Sequence, residues 1–387
     1  MSFSTLPLSY CTNLHPGQTV AEVLAGLRQF TVPTRERFGP LAAGLWLARP
    51  VVTELLQDVG LLMSFRDELR ESRLSCYTLN TFPFGNFHAQ RVKENVYLPD
   101  WSTQERFDYT ADCAVVLAMI MDDEIIEGSL STVPLGFKPF QQPAGFLEDC
   151  AERLIDLAEL LDHLFEVTGK RIRLAIEPEP YCVLETTAET TQFFDLLRRR
   201  AADREASDEV NEYLGVCYDV CHQAVEFEDV AASILDLDRA GIRINKVHIT
   251  CAIRIDQPAT NIAARQALAR FAEPRYLHQT FARNAAGKII CEVDLTPELA
   301  LTPPPEFSAA SEWRIHFHVP VNAESVGPLG TTRDDLRRAL ATVKTLCYSP
   351  HLEVETYTWD VLPDGRRMDL IDGLTAELLA TQALLKL

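Results

Sequence analysis

The feature that most constrains this chain is a repeated alternation, in which short apolar runs of strand length are separated by amphipathic segments of helix length. Strand-like runs occupy 8–13 (LSYCTN), 43–48 (AGLWLA), 75–80 (SCYTLN), 128–133 (GSLSTV), 172–177 (IRLAIE), 214–219 (LGVCYD), 244–249 (INKVHI) and 352–356 (LEVET). Helical periodicity lies near 18–30, 50–71, 103–121, 144–168, 187–202, 228–240 and 332–346, the last with Thr332 as its expected cap ahead of Asp334. Such alternation builds parallel βαβ units. Eight strands favour closure into an α/β fold of the (β/α)8 TIM-barrel type over an open sheet.

Residues 250–330 break the pattern. They hold a helical stretch near 258–271, extended runs at 277–282 and 288–293, prolines at 303–305 and a further strand-like run, WRIHFHVPV. A ninth strand has no place in an eight-stranded cylinder, so this stretch reads as an insertion between strands seven and eight, covering the barrel mouth. No repeat, low-complexity tract or Gly/Ser linker marks a second domain, and 1–387 reads as one.

Acidic residues outnumber basic ones 56 to 36, for a formal charge of -20. That field repels polyanions, and the clearest basic run, Arg198 to Arg200, ends a helical pattern where cations suit the terminus, so no nucleic-acid partner is expected. MSFSTLPLSYC lacks a charged segment followed by a long apolar one, and the longest apolar run, Cys113 to Met121, is too short to span a bilayer. The expectation is a cytoplasmic protein with no integral membrane segment. Ten cysteines are scattered singly, which suggests small core residues and neither a disulfide framework nor a zinc ribbon.

In such barrels the reactive side chains stand at the carboxyl ends of strands and in the loops beyond. Strand five ends in Glu177, with Glu179 next; strand six ends in Asp219, followed by Val220, Cys221 and His222. Strand seven carries Lys246 and His248, strand eight Glu353 and Glu355, and the extra strand places His316 and His318 on one face. Carboxylates crowded at the ends of apolar strands are costly unless something pairs with them. A divalent cation resolves the crowding, since two glutamates, an aspartate and a histidine supply charge and donor atoms while leaving positions for substrate oxygens. Mixed imidazole and carboxylate donors favour Mn, Zn or Co, with Mg also compatible.

Other residues are ambiguous by position alone. His15 and His88 follow strands one and three, and Asn80 ends strand three, which sets all three near the mouth. His163, inside a helical pattern, reads as structural, His351 as a surface residue, and Lys246 as an ion-pair partner or an anchor for an anionic substrate group. The aromatics of FPFGNFHA either face a sugar ring or pack in the core. No Walker loop, GxGxxG turn or GxSxG elbow is present, which argues against a nucleotide cofactor and a serine nucleophile.

The order Glu after strand five, Asp-x-x-His in GVCYDVCH, His on strand seven and Glu on strand eight resembles the xylose-isomerase-like TIM-barrel superfamily, which includes sugar epimerases, sugar isomerases and endonuclease IV. More narrowly, TLNTFPFGNFHAQRVKENVYLPDW, GSLSTVPLGFKP, WRIHFHVPV and HLEVETYTWDVLP look like EboE-type metabolite-traffic proteins, described as sugar-phosphate-isomerase-like barrels. Carried over, the resemblance implies Glu177, Asp219, His248 and Glu355 as metal ligands, with His222 and His318 in addition. Glu177 and Glu355 would be the catalytic pair that moves a proton on either side of a substrate carbon. Glu179, His316, His88, Lys246, His15 and Asn80 would contact substrate or support the ligands. His316 and His318 have no counterpart in the sugar epimerases and resemble in placement the extra ligands by which endonuclease IV holds several zinc ions.

The function implied is that of a metal-dependent protein resembling sugar (phosphate) isomerases and epimerases, acting on or handling a small polar metabolite in an EboE-type metabolite-export pathway. The alternatives are a multinuclear-metal hydrolase of a small phosphoester and a non-catalytic metabolite carrier, working with other proteins of an EboE-type export pathway.

Overall fold

The computed structural model describes residues 3–363 and 369–386; Met1 and Ser2 of the leading segment lie outside them. Seven strands come first: β1 (Ser9–Cys11), β2 (Ala42–Trp46), β3 (Thr78–Asn80), β4 (Glu127–Thr132), β5 (Arg171–Ile176), β6 (Leu214–Asp219) and β7 (Ile244–Ile249). Six more follow, β8 (Ile253–Asp256), β9 (Thr280–Arg283), β10 (Ile289–Glu292), β11 (Glu312–Ile315), β12 (Ser325–Val326) and β13 (Leu329–Thr331), before β14 (His351–Val354). Strands β1 to β7 and β14 close into a barrel with β1 bonded in parallel to both β2 and β14. All eight expected strands therefore form. Runs such as AAGLW and LGVCYD are buried throughout, as parallel strands covered by helices require.

The helical layer departs from expectation in instructive places. The first helix runs on from Val20–Gly26 through a π-helical turn, Leu27–Thr31, into Val32–Phe38; Pro33 has no N–H to give and displaces the carbonyl four residues back. The segment expected at 50–71 splits at Asp58, whose carboxylate accepts from the Leu61 N–H and starts a second helix. Thr332 does not cap its own helix. Its Oγ1 accepts from the Ala252 N–H at 2.8 Å and ties that helix to the chain leaving β7. A terminal helix, Leu370–Lys386, packs against Val32–Phe38.

Strands β8 to β13 form a separate antiparallel sheet in the order β10-β9-β11-β8-β13-β12. It leaves the barrel at the carboxyl end of β7, the end at which functional groups collect. Lys93, in the loop after β3, clasps it: Nζ donates to the carbonyls of Glu273 (2.9 Å) and Tyr276 (2.6 Å) and to Asp294 Oδ2 (2.7 Å). The run expected as one strand through Val321 stops at Ile315, so His316 and His318 stand just past β11 and not on it. The cause is a tight turn, Phe317 N–H to Ile315 carbonyl, after which Val319 bonds to Cys251. Among the described residues, no helix is long and apolar enough to cross a membrane, and all ten cysteines are free.

Candidate metal centre

Each strand presents its polar group by a local cause. In RIRLAIEPEP, Pro178 cannot donate to the ladder, so β5 ends and Glu177 is left at its carboxyl tip, anchored by its own N–H to the Thr132 carbonyl. Asp219 closes β6 and starts the helix Val220–Val225: Oδ1 accepts from the His222 N–H (3.0 Å) and from Thr250 Oγ1 (2.7 Å). Asp219 Oδ2 is buried and has no hydrogen-bond partner. Glu355 lies one residue beyond β14, and Oε1 accepts from the amides of Asn13 (2.9 Å) and Asn80 (2.8 Å).

These groups converge on one imidazole. His248 Nδ1 lies 2.8 Å from Glu177 Oε1, 3.2 Å from Glu355 Oε2 and 3.6 Å from Asp219 Oδ2. Its other nitrogen, Nε2, faces Glu353 Oε1 at 3.2 Å, and donation to that carboxylate leaves Nδ1 as the atom offered to the cluster. One donor atom from each of Glu177, Asp219, His248 and Glu355 lies within 4.8 Å of the others, and all four residues are buried. Cys217 is also near, but burial pushes its thiol up to about 12 and keeps it neutral.

The electrostatics show how much positive charge the cluster needs. Burial opposes a charged His248, yet the carboxylates around it hold its pKa well above the ordinary imidazole value. Glu355 is pushed up to about 7, by burial first and then by Glu177 and Asp219, against the pull of His248 and His318. Glu177 Oε2 is a further buried oxygen with no partner. Three carboxylates around one nitrogen, two of them with an orphaned oxygen, fit a divalent cation of the Mn, Zn, Co or Mg type.

Three more imidazoles stand alongside. His222 Nδ1 faces the Pro178 carbonyl (3.0 Å) and His318 Nδ1 the Glu355 carbonyl (2.9 Å), so each carries its proton on Nδ1. His316 Nδ1 faces Gln279 Oε1 at 2.7 Å; Gln279 Nε2 donates to the Pro180 carbonyl, which orients the amide and assigns the proton to His316 Nδ1. The Nε2 lone pairs of His316 and His318 are left bare. His222 Nε2 and His318 Nε2 each lie 3.9 Å from Asp219 Oδ2, and His316 Nε2 and His318 Nε2 are buried without a partner. Burial lowers all three pKa values, keeping the rings in the neutral, ligating form.

Below the cluster, Lys246 and Glu353 form a fully buried ion pair at 2.6 Å, and Glu353 Oε2 accepts from Ser9 Oγ at 2.8 Å. Of its two readings, Lys246 thus takes the ion pair. Glu179 accepts from Tyr97 OH at 2.6 Å, and burial raises its pKa well above the carboxylate range.

Several expectations need correction. His15 is turned away from the mouth, stacked on Phe30 at 4.6 Å with Nε2 on Tyr10 OH at 3.0 Å, because the loop presents Asn13 inward in its place. His88 braces that loop from behind, Nε2 to the Asn13 carbonyl at 2.8 Å, and does not line the cleft. His351 is buried and no surface residue: it opens β14, with Nδ1 on Ser129 Oγ at 2.8 Å and its pKa lowered by burial to about 4. Sequence reasoning missed Asn13, Tyr97, Thr250 and Gln279. Only Asn13 carried a signal, as the last residue of LSYCTN.

No family model and no curated protein matches the chain. Solved structures do. D-allulose 3-epimerase from Methylomonas sp., in complex with D-allulose, superposes with a TM-score of 0.51 at 14% identity, covering 99% of this chain and 98% of the other. An L-ribulose 3-epimerase gives 0.52 at 11%, covering 99% and 95%. A xylose isomerase-like TIM barrel protein from Mycobacterium smegmatis, in complex with magnesium, gives 0.53 at 13%, covering 100% and 98%. The fold is therefore the xylose-isomerase-like TIM barrel, while the narrower EboE-type likeness finds no support among these structures.

Proposed function

We propose that this protein is a divalent-metal-dependent isomerase or epimerase that moves a proton at a carbon beside a carbonyl in a small polar metabolite. The observation that carries the reading is the convergence of Glu177, Asp219, His248 and Glu355 donor atoms within 4.8 Å at the carboxyl ends of β5, β6, β7 and β14. When bound, the cation supplies Lewis acidity toward carbonyl and hydroxyl oxygens. Glu355 is suited to hold or release a proton at Oε2. Its Oε1 is held by Asn13 and Asn80, which fixes the carboxylate at the floor of the cleft with Oε2 facing the cluster. Glu177 is suited to the same work at Oε2, since Oε1 engages His248. The substrates of the sugar epimerases with this fold support the choice of a hydroxycarbonyl substrate.

The test is solvent exchange. Metal-loaded protein in D2O, with a panel of ketoses and hydroxyketones followed by NMR, is expected to place deuterium on the carbon beside the carbonyl. Glu177→Gln and Glu355→Gln are each expected to abolish it. Absence of exchange across the panel with a fully loaded protein contradicts the reading.

A second reading, a multinuclear-metal hydrolase, is favoured by the unpartnered Nε2 atoms of His316 and His318 and by His222 and His318 standing beside Asp219 Oδ2. It requires two or more zinc ions per chain and cleavage of a small phosphoester. A carrier role in EboE-type metabolite export rests on the sequence motifs alone.

A further inference from the structure

The cleft above the metal centre is divided by chemistry. Its floor is polar: Asn13, Asn80, Glu177, Glu355, His222 and His316. Its walls are carbon, supplied by Phe82, Phe87, Val96, Tyr276, Leu277 and Tyr357. Phe87, Tyr276 and Tyr357 brace one another, with ring centroids 4.9, 5.6 and 5.0 Å apart, and so form a continuous aromatic face.

The hydroxyls of Tyr276 and Tyr97 on the walls are already engaged, and that of Tyr357 offers a neutral donor and no positive charge. Tyr276 OH donates to the Phe87 carbonyl and Tyr97 OH to Glu179. Lys93 is the one cation among the described residues lining the cleft, and its ammonium has three donors for three acceptors already in place: two carbonyls and Asp294. Arg275 lies against the Tyr276 ring, 5.8 Å from its centroid, and is not part of the lining. A phosphate arm entering here would meet aromatic carbon above and carboxylates below, with no free cation to replace its water.

From this division we infer that the substrate is uncharged and amphipathic: a hydroxycarbonyl head on the floor, joined to an unphosphorylated aryl or alkyl arm along the aromatic wall. The inference rests on the reading of the floor as the centre that receives a hydroxycarbonyl group. It narrows the substrate class by excluding sugar phosphates.

Three compounds share the same hydroxymethyl ketone head and differ only in the arm: 2-hydroxyacetophenone, dihydroxyacetone and dihydroxyacetone phosphate. Titrated by calorimetry into the manganese-loaded full chain, the phenyl compound is expected to bind about tenfold or more tighter than dihydroxyacetone, the gain that burying one ring supplies. The phosphate is expected to bind weakest. Leu277→Arg, which places a cation on the wall, is expected to weaken the phenyl compound and strengthen the phosphate. Metal-dependent binding in which the phosphate equals or exceeds the phenyl compound overturns the inference and leaves the hydroxycarbonyl reading standing. So does a Leu277→Arg variant that changes neither. If none of the three binds, or if binding is the same after metal removal, the reading of the floor fails and the inference with it.

Discussion

Lys246→Met removes one half of the ion pair that underlies the metal centre, and its consequence can be worked from the structure. Lys246 Nζ and Glu353 Oε1 are 2.6 Å apart with both side chains fully buried, so the substitution strands a carboxylate where water cannot reach it. Glu353 has its pKa lowered from 4.5 to about 2: burial opposes ionisation, and Lys246, then His248, overcome it. A depression of that size corresponds to about 3 kcal/mol of stability at neutral pH. Breaking buried pairs elsewhere costs about 3–5 kcal/mol, so two independent routes agree.

For a chain of 387 residues, 3 kcal/mol is a drop of about 4 °C in Tm. The sign with pH follows from the same pair. In the parent protein the Glu353 contribution is complete above its unfolded pKa and is lost as pH falls toward 2. In the variant the stranded carboxyl has a raised pKa, so it takes up a proton on folding and the deficit shrinks as pH falls.

Urea unfolding of metal-free protein at pH 7 and pH 5 measures both. The expected result is a deficit of about 3 kcal/mol at pH 7, smaller at pH 5, and largely recovered in Lys246→Met/Glu353→Leu, where no charge is left unpaired. A deficit below about 1 kcal/mol at pH 7, or one unchanged between the two pH values, refutes the reasoning.

Further outcomes follow from single residues. Asp219→Asn leaves an amide where the orphaned Oδ2 stands, so the variant should lose the Tm gain that manganese gives the parent, about 2.7 kcal/mol of stabilisation at a hundredfold excess over Kd; differential scanning with and without metal reads it. Metal affinity should weaken as pH falls below about 7, because binding must expel the proton that Glu355 then carries, and calorimetry across pH 5.5–8 checks it. Gly44→Ala would set a Cβ 1.4 Å from Glu353 Oε2 and 2.7 Å from Ser9 Oγ. It should displace Glu353, destabilise the chain by about 3 kcal/mol in urea, and weaken metal binding through His248.

The barrel was legible because its signal is local: buried parallel strands are short apolar runs, and their spacing survives whatever packs on them. The acidic and imidazole residues at strand ends were legible for the same reason, since a strand end is visible in the sequence, as Pro178 after Glu177 shows. Orientation was not. His15 and Asn13 follow the same strand, and which of them faces the cleft depends on a stack with Phe30 and a carbonyl contact from His88. Thr332 looked like a cap but bonds to Ala252, and His351 looked exposed but meets Ser129. Gln279 and Tyr97 orient His316 and Glu179 across long stretches of chain, so nothing near them in sequence announces the role. Such contacts exist only once loops distant in sequence have folded against one another.

The most direct measurement is anomalous diffraction from crystals grown with manganese. The account predicts a peak bounded by Glu177, Asp219, His248 and Glu355, at about 2.0–2.3 Å from a donor atom of each. Crystals diffracting well enough to show those side chains, with no peak among them, contradict it.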